Sequence, residues 1–152
     1  VARENLLNRY GDVAADGTYS SPISSPGRRF FTMLGTLVQG RVSLDGAAVK
    51  SCVILAMSCD GHEVWTIKEL GRYDQLTARL QKAFVERGAI QCGFCTPGMI
   101  IAAGDYLRHD GRADREQIRR AMSGNLCRCT GYQKIIDAVY EVAAELESEV
   151  CG

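Results

Sequence analysis

The chain has 152 residues, 46% of them apolar and 24% charged, enough for one ordinary domain or two small ones. Lys plus Arg number 18 and Asp plus Glu 18, a formal net charge of zero, which argues against a nucleic-acid binder held by bulk charge. No run approaches the roughly 20 apolar residues that cross a bilayer, so direct membrane insertion is not expected. The start of the sequence, with Arg3, Glu4, Asn5 and Arg9, holds no apolar run of secretory type, and the expected compartment is the cytoplasm.

The first residues, up to about Phe30, are weakly patterned, and Ser20 to Gly27 reads as a loop or disordered arm. Val42-Ser43-Leu44 and Ala47-Ala48-Val49 flank Asp45-Gly46, a hairpin-turn dipeptide. Val53 to Met57 is a short apolar run that suits a helix or a strand. Glu63 to Ile67 alternates and predicts a strand. After Gly71 the pattern turns helical. Asp74 caps a helix carrying Leu76, Leu80, Ala83 and Phe84, ended by Gly88. Thr96-Pro97 starts a second, with Met99, Ile100, Ala103 and Leu107, stopping before Asp110-Gly111. Asp114 and Gln117 open a third, with Ile118, Ala121 and Met122, closed by Gly124. Thr130 and Gln133 have the spacing of a capping box for a fourth, with Ile136, Val139, Ala143 and Leu146 on its apolar face. Four helices with short connections suggest a bundle.

Seven cysteines fit a metal site better than a disulfide framework. Cys92-Gly93-Phe94-Cys95 and Cys127-Arg128-Cys129 form two tight pairs, while Cys52, Cys59 and Cys151 stand apart. Each pair runs into a helix-start signal, Thr96-Pro97-Gly98 or Thr130-Gly131-Tyr132. A 2Fe–2S cluster on four thiolates is anionic, and the unpaired N–H groups at a helix start stabilise it. Gly93 and Gly98, without a Cβ, let backbone approach sulfur closely. Four thiolates in two pairs also suit structural zinc, although Cys-x-Cys is tighter than the usual zinc pair.

The segments Gln91-Cys92-Gly93-Phe94-Cys95-Thr96-Pro97-Gly98 and Gly124-Asn125-Leu126-Cys127-Arg128-Cys129-Thr130-Gly131-Tyr132 resemble the iron–sulfur subunit of the xanthine dehydrogenase/aldehyde oxidoreductase family of molybdenum hydroxylases. The similarity runs from about residue 42 to 147. It implies an α+β chain with a ferredoxin-like β-grasp part over residues 1–71 and a four-helix 2Fe–2S-binding domain over 72–152. It also implies that Cys92, Cys95, Cys127 and Cys129 bind the cluster nearer molybdenum, with Gln91 and Cys129 close to the pterin. The implied partners are a molybdopterin-binding large subunit and an FAD-binding medium subunit. Electrons would pass from molybdenum through the clusters to flavin, and substrate would be selected by the large subunit.

The first part departs from the family. Leu44 to Cys52 matches the family's hairpin and its fourth cysteine. The other three ligands of that cluster would fall at Thr32, Leu37 and Gly40, none of them cysteine. One 2Fe–2S cluster is therefore expected, with the second lost. A true loss and a reading-frame break near residue 41 both account for the sharp edge of the similarity. Without partners, Cys52 reads as a buried thiol, Cys59 and Cys151 as ordinary cysteines, and His62 and His109 as solvent-facing. Arg128 suits either cluster charge or open solvent, and Trp65 reads as core or interface. No nucleophile or acid–base constellation is present, so the chain is not catalytic alone. The rival reading is a zinc- or metal-stabilised structural module without redox activity.

Overall fold

The computed structural model of the chain describes residues 40–109 and 111–150. The expected loop at Ser20 to Gly27, the ligand-equivalent positions Thr32 and Leu37, and Cys151 lie outside the described residues. Within them the chain is mixed α+β, a three-stranded sheet followed by five helices.

Strands β1 (Arg41–Leu44) and β2 (Ala47–Lys50) pair antiparallel, with Leu44 opposite Ala47. Asp45 and Gly46 make the turn at φ +48° and +88°, the double positive φ that a two-residue hairpin of type I′ requires. Asp45 is held there by its own carboxylate, which accepts the Glu63 N–H at 2.8 Å and meets His62 Nδ1 at 2.5 Å. Strand β3 (Val64–Trp65) pairs with the other edge of β1, giving the order β2-β1-β3.

Two expectations for this half fail. The run Val53 to Met57 is neither helix nor strand. It is a turn leading into one 3₁₀ turn, Ala56–Cys59, with Val53, Leu55 and Met57 exposed. Five residues are too few to nucleate a helix alone. The alternation from Glu63 to Ile67 pairs only at Val64 and Trp65, and helix α1 (Ile67–Tyr73) begins at once. Thr66 and Glu69 have capping-box spacing, but the Thr66 hydroxyl meets the Glu69 carboxylate and caps no backbone N–H; the helix starts from Thr66, whose carbonyl accepts the Leu70 N–H at 3.0 Å.

Helix α2 (Gln75–Glu86) starts as expected. Asp74 accepts the Thr77 N–H at 2.8 Å, a cap worth about 1 kcal/mol. Helix α3 (Thr96–His109) is buried on nearly every side, not along one stripe. It is the central element, with the sheet and α1 packed on it as well as α2 and helix α4 (Arg115–Met122). The Ala48 N–H donates to Asp105 of α3 at 2.9 Å, fixing the hairpin to the helix. Asp114 caps α4 through the Glu116 and Gln117 N–H groups. Helix α5 (Gln133–Val150) closes the core against α2 and α4. Leu80, Phe84, Met99, Ile118, Met122, Ile135 and Val139 are buried together there. Burying each stabilises the fold by about 1.5–3 kcal/mol before entropy is counted. Ile135, Ala138 and Val142 join the expected α5 positions Ile136, Val139 and Ala143, so that apolar face is wider than its sequence pattern suggested.

Candidate metal centre

The two cysteine pairs, far apart in sequence, meet in space. Cys92 Sγ and Cys129 Sγ are 3.5 Å apart, and the Cys95 and Cys127 thiols are close enough to shift each other's protonation. Cys92 and Cys129 are exposed, Cys127 is half-buried and Cys95 is buried. Gln91, just before the first pair, is exposed. Among the described residues no three Cys, His, Asp or Glu side chains gather as they would around a single ion. The sulfurs come together two by two.

Local geometry explains the gathering. Gly93 takes φ +79°, which turns the chain between Cys92 and Cys95 and lets the Thr96 N–H reach the Gly93 carbonyl at 3.3 Å. Its role in this turn is conformational. Helix α3 then begins at Thr96 itself. The Cys95 carbonyl accepts the Met99 N–H at 3.0 Å, so Cys95 occupies the cap position expected of Thr96. The thiol thus stands at the positive end of a long helix.

The second pair is built differently from the expected capping box. Gly131 and Tyr132 take φ +64° and +67°, and the Tyr132 carbonyl accepts the Ile136 N–H, so Tyr132 is the residue that opens α5. Gln133 reaches forward to Asp137 at 3.2 Å instead of back. Thr130 turns its hydroxyl inward, 3.0 Å from Cys127 Sγ. The Tyr132 phenol receives the Cys127 N–H at 2.8 Å and donates to the Asn125 carbonyl at 3.0 Å. Asn125 is buried, and its Oδ1 accepts Arg41 Nε at 2.7 Å. Arginine can only donate, so Oδ1 must face it, leaving Asn125 Nδ2 as a buried donor without a partner among the described residues.

The electrostatics divide the four thiols. Burial, then the bond to Cys127, pushes Cys95 up to about 11. Burial alone would raise Cys127 too, but the Thr130 hydroxyl, the Thr130 and Cys129 N–H groups and Cys95 outweigh it and bring that thiol down to about 7. The Phe94 N–H, with the Cys129 thiol, lowers Cys92, and the bond to Cys92 raises Cys129. One thiolate is thus ready near neutral pH, and N–H groups converge on the sulfurs. That donor set, with the spare Asn125 N–H nearby, fits an anionic sulfur-bridged group better than a bare cation.

The remaining singled-out residues stay outside the centre. Cys52 is exposed, not buried, because it is Ser51 that turns inward and bonds the Gly40 carbonyl through its hydroxyl at 3.0 Å. Cys59 is half-buried with its thiol raised by burial. His62 and His109 are exposed as expected, and so is Arg128. Trp65 is half-buried, edge-on to Tyr73 with ring centroids 6.0 Å apart. The sequence reading missed Arg41 and Asn125, and took Thr130 and Tyr132 only as a helix start.

The family model described as the 2Fe–2S binding domain matches residues 66–140, which places the chain among 2Fe–2S-binding-domain proteins. The chain is 42% identical over 105 residues to the nicotine 6-hydroxylase small subunit of Paenarthrobacter nicotinovorans, covering 69% of this chain and 62% of that one. It is 41% identical over 102 residues to the xanthine dehydrogenase iron-sulfur-binding subunit of Escherichia coli O157:H7, covering 66% and 64%. The chain thus spans less than two thirds of the length of these relatives. Among solved structures, a chain of quinoline 2-oxidoreductase from Pseudomonas putida 86 is similar with a TM-score of 0.67 and 33% identity, over 87% of this chain and 88% of that one. The chain belongs to the family of iron–sulfur subunits of xanthine dehydrogenase- and aldehyde oxidoreductase-type enzymes. No helix among the described residues is long and apolar enough to cross a membrane.

Proposed function

We propose that the chain is the electron-transfer subunit of a cytoplasmic molybdenum hydroxylase, with one 2Fe–2S cluster on Cys92, Cys95, Cys127 and Cys129. The observation that carries this reading is the two-by-two meeting of the thiols, Cys92 with Cys129 and Cys95 with Cys127. Each iron of such a cluster takes two protein sulfurs, whereas one tetrahedral zinc would gather all four around a point. When bound, the cluster supplies a one-electron store. The chain's own residues hold it, direct N–H groups at its sulfurs and leave Cys92 and Cys129 at the surface.

Close in sequence to those exposed thiols, Ile90, Phe94 and Leu126 are themselves exposed, at 37%, 62% and 71%. Exposed apolar side chains beside a redox motif suit a close-packed partner that excludes water. The partner proposed is a molybdopterin-binding large subunit, with Gln91 and Cys129 toward the pterin, and an FAD-binding medium subunit receives the electrons. We read residues 1–71 as the remnant of a ferredoxin-like part and 72–152 as the four-helix part, joined through α1, which runs across residue 71. With Thr32, Leu37 and Gly40 in place of three cysteines, Cys52 holds no second cluster. Iron, zinc and acid-labile sulfide analysis of the purified protein tests the reading. About two irons and two sulfides per chain are expected. Zinc without sulfide would overturn it.

A further inference from the structure

Thr130 is the residue whose position the cluster ligands alone do not explain. Its Oγ1 accepts the Tyr132 N–H at 3.2 Å, which occupies a lone pair and aims the hydroxyl hydrogen elsewhere. The group facing it is Cys127 Sγ at 3.0 Å. The Thr130 N–H points at the same sulfur from 3.5 Å. Both donors of one residue therefore converge on one ligand sulfur. No other ligand cysteine has a side-chain hydroxyl hydrogen-bonded to its sulfur among the described residues. Thr96, which follows Cys95 as Thr130 follows Cys129, opens α3 instead, so the resemblance of the two segments does not extend to this contact.

We propose that Thr130 is a positioning residue for electron transfer, raising the reduction potential of the cluster by donating its hydroxyl to the Cys127 thiolate. A hydrogen bond to a ligand thiolate withdraws electron density from the sulfur. Reduction adds one negative charge to the cluster, so the bond strengthens on reduction and favours the reduced form. The contact is half-buried, where such a bond is weakened less by water than at an open surface. Removing the hydroxyl should leave the four thiolates in place and make the cluster harder to reduce. The inference rests on the assignment of Cys127 as a cluster ligand.

The test is a potentiometric titration of the purified protein, followed by the EPR signal of the reduced cluster. Wild type, Thr130→Val, Thr130→Ala and Thr130→Ser are compared, with iron and sulfide measured on each. Wild type without iron and sulfide would overturn both the ligand assignment and this inference. With the cluster present, Thr130→Val and Thr130→Ala should shift the reduction equilibrium by about tenfold toward the oxidised form, which is ~59 mV for one electron. Thr130→Ser should restore the wild-type value, since it keeps the hydroxyl. Unchanged potentials in the loaded Val and Ala variants would overturn the inference and leave the ligand assignment standing. Loss of the cluster from both, with retention in Thr130→Ser, would also overturn it, because the hydroxyl would then hold the loop and not tune the cluster.

Discussion

Arg41 Nε lies 2.7 Å from Asn125 Oδ1, so the first strand of the sheet grips the loop that delivers Cys127. The bond joins residues far apart in sequence and ends on a buried amide. Gly124 makes room for it, since a Cβ there would come within 2.6 Å of Arg41 Nη2. Arg41→Met should leave Asn125 with both amide atoms buried and unpaired. A cost of about 1–3 kcal/mol is expected in urea unfolding. Gly124→Ala should act in the same direction by displacing the guanidinium. Additive effects of the two changes would show that they do not act through one contact.

The ligand set makes its own prediction. Cys95→Ser or Cys127→Ser should bleach the visible absorption and lower the helical stability, because cluster binding is coupled to folding. Cys52→Ser and Cys59→Ser should leave the spectrum unaltered, since neither thiol joins the two pairs. A changed EPR signal in Cys52→Ser would place that cysteine on a cluster.

Acid should weaken the surface of α5. Arg115 holds the Asp137 carboxyl below the usual range, and Arg87 does the same for Glu141. A carboxylate whose pKa is lowered by folding contributes stability above its unfolded pKa, and loses it as pH falls through the folded value. Both contributions are thus complete at neutral pH and begin to fade as pH falls below about 4, to be lost through the lowered folded values. The pairs lie at the surface, so each is worth ~0–1 kcal/mol and is screened by salt. Urea titrations of Asp137→Asn should show a small loss at pH 7 and a smaller one at pH 3. An equal loss at both would mean that the side chain acts through packing.

What was legible beforehand was local. Asp45-Gly46, Asp74 and Asp114 declare a turn and two caps through their own side chains, and each stands where expected. Thr66 and Glu69 had the right spacing for a cap, but the alternation around Val64 competed with it and hid α1. Thr130 was misread because its hydroxyl had two possible uses, a helix end or a sulfur, and only the folded chain puts Cys127 within reach. Nothing near Arg41 announces Asn125, because the contact depends on the sheet docking against the helices. The cysteine pairs were readable as a site because two spacings agreed. Which sulfur meets which was not, since that depends on left-handed turns at Gly93 and at Gly131-Tyr132.

Tyr132 offers a test of that last turn. It holds φ +67°, a conformation that costs a non-glycine residue about 1–2 kcal/mol. Its phenol offsets this by receiving the Cys127 N–H and donating to the Asn125 carbonyl. The two effects separate by substitution. Tyr132→Phe keeps the backbone strain and the ring but unpairs two half-buried backbone groups, and should cost about 1–2 kcal/mol. Tyr132→Ala keeps the strain and loses ring and phenol together, so it should be the least stable of the series. Tyr132→Gly loses the same side chain but relieves the strain, and should be more stable than the alanine variant by about 1 kcal/mol. Urea midpoints of the three variants give the order directly. In the iron-loaded protein the phenylalanine variant should also broaden the EPR signal of the reduced cluster, because the loop ahead of Cys127 loses the bond that fixes it. An alanine variant at least as stable as the glycine variant would show that Tyr132 does not hold the left-handed turn in solution.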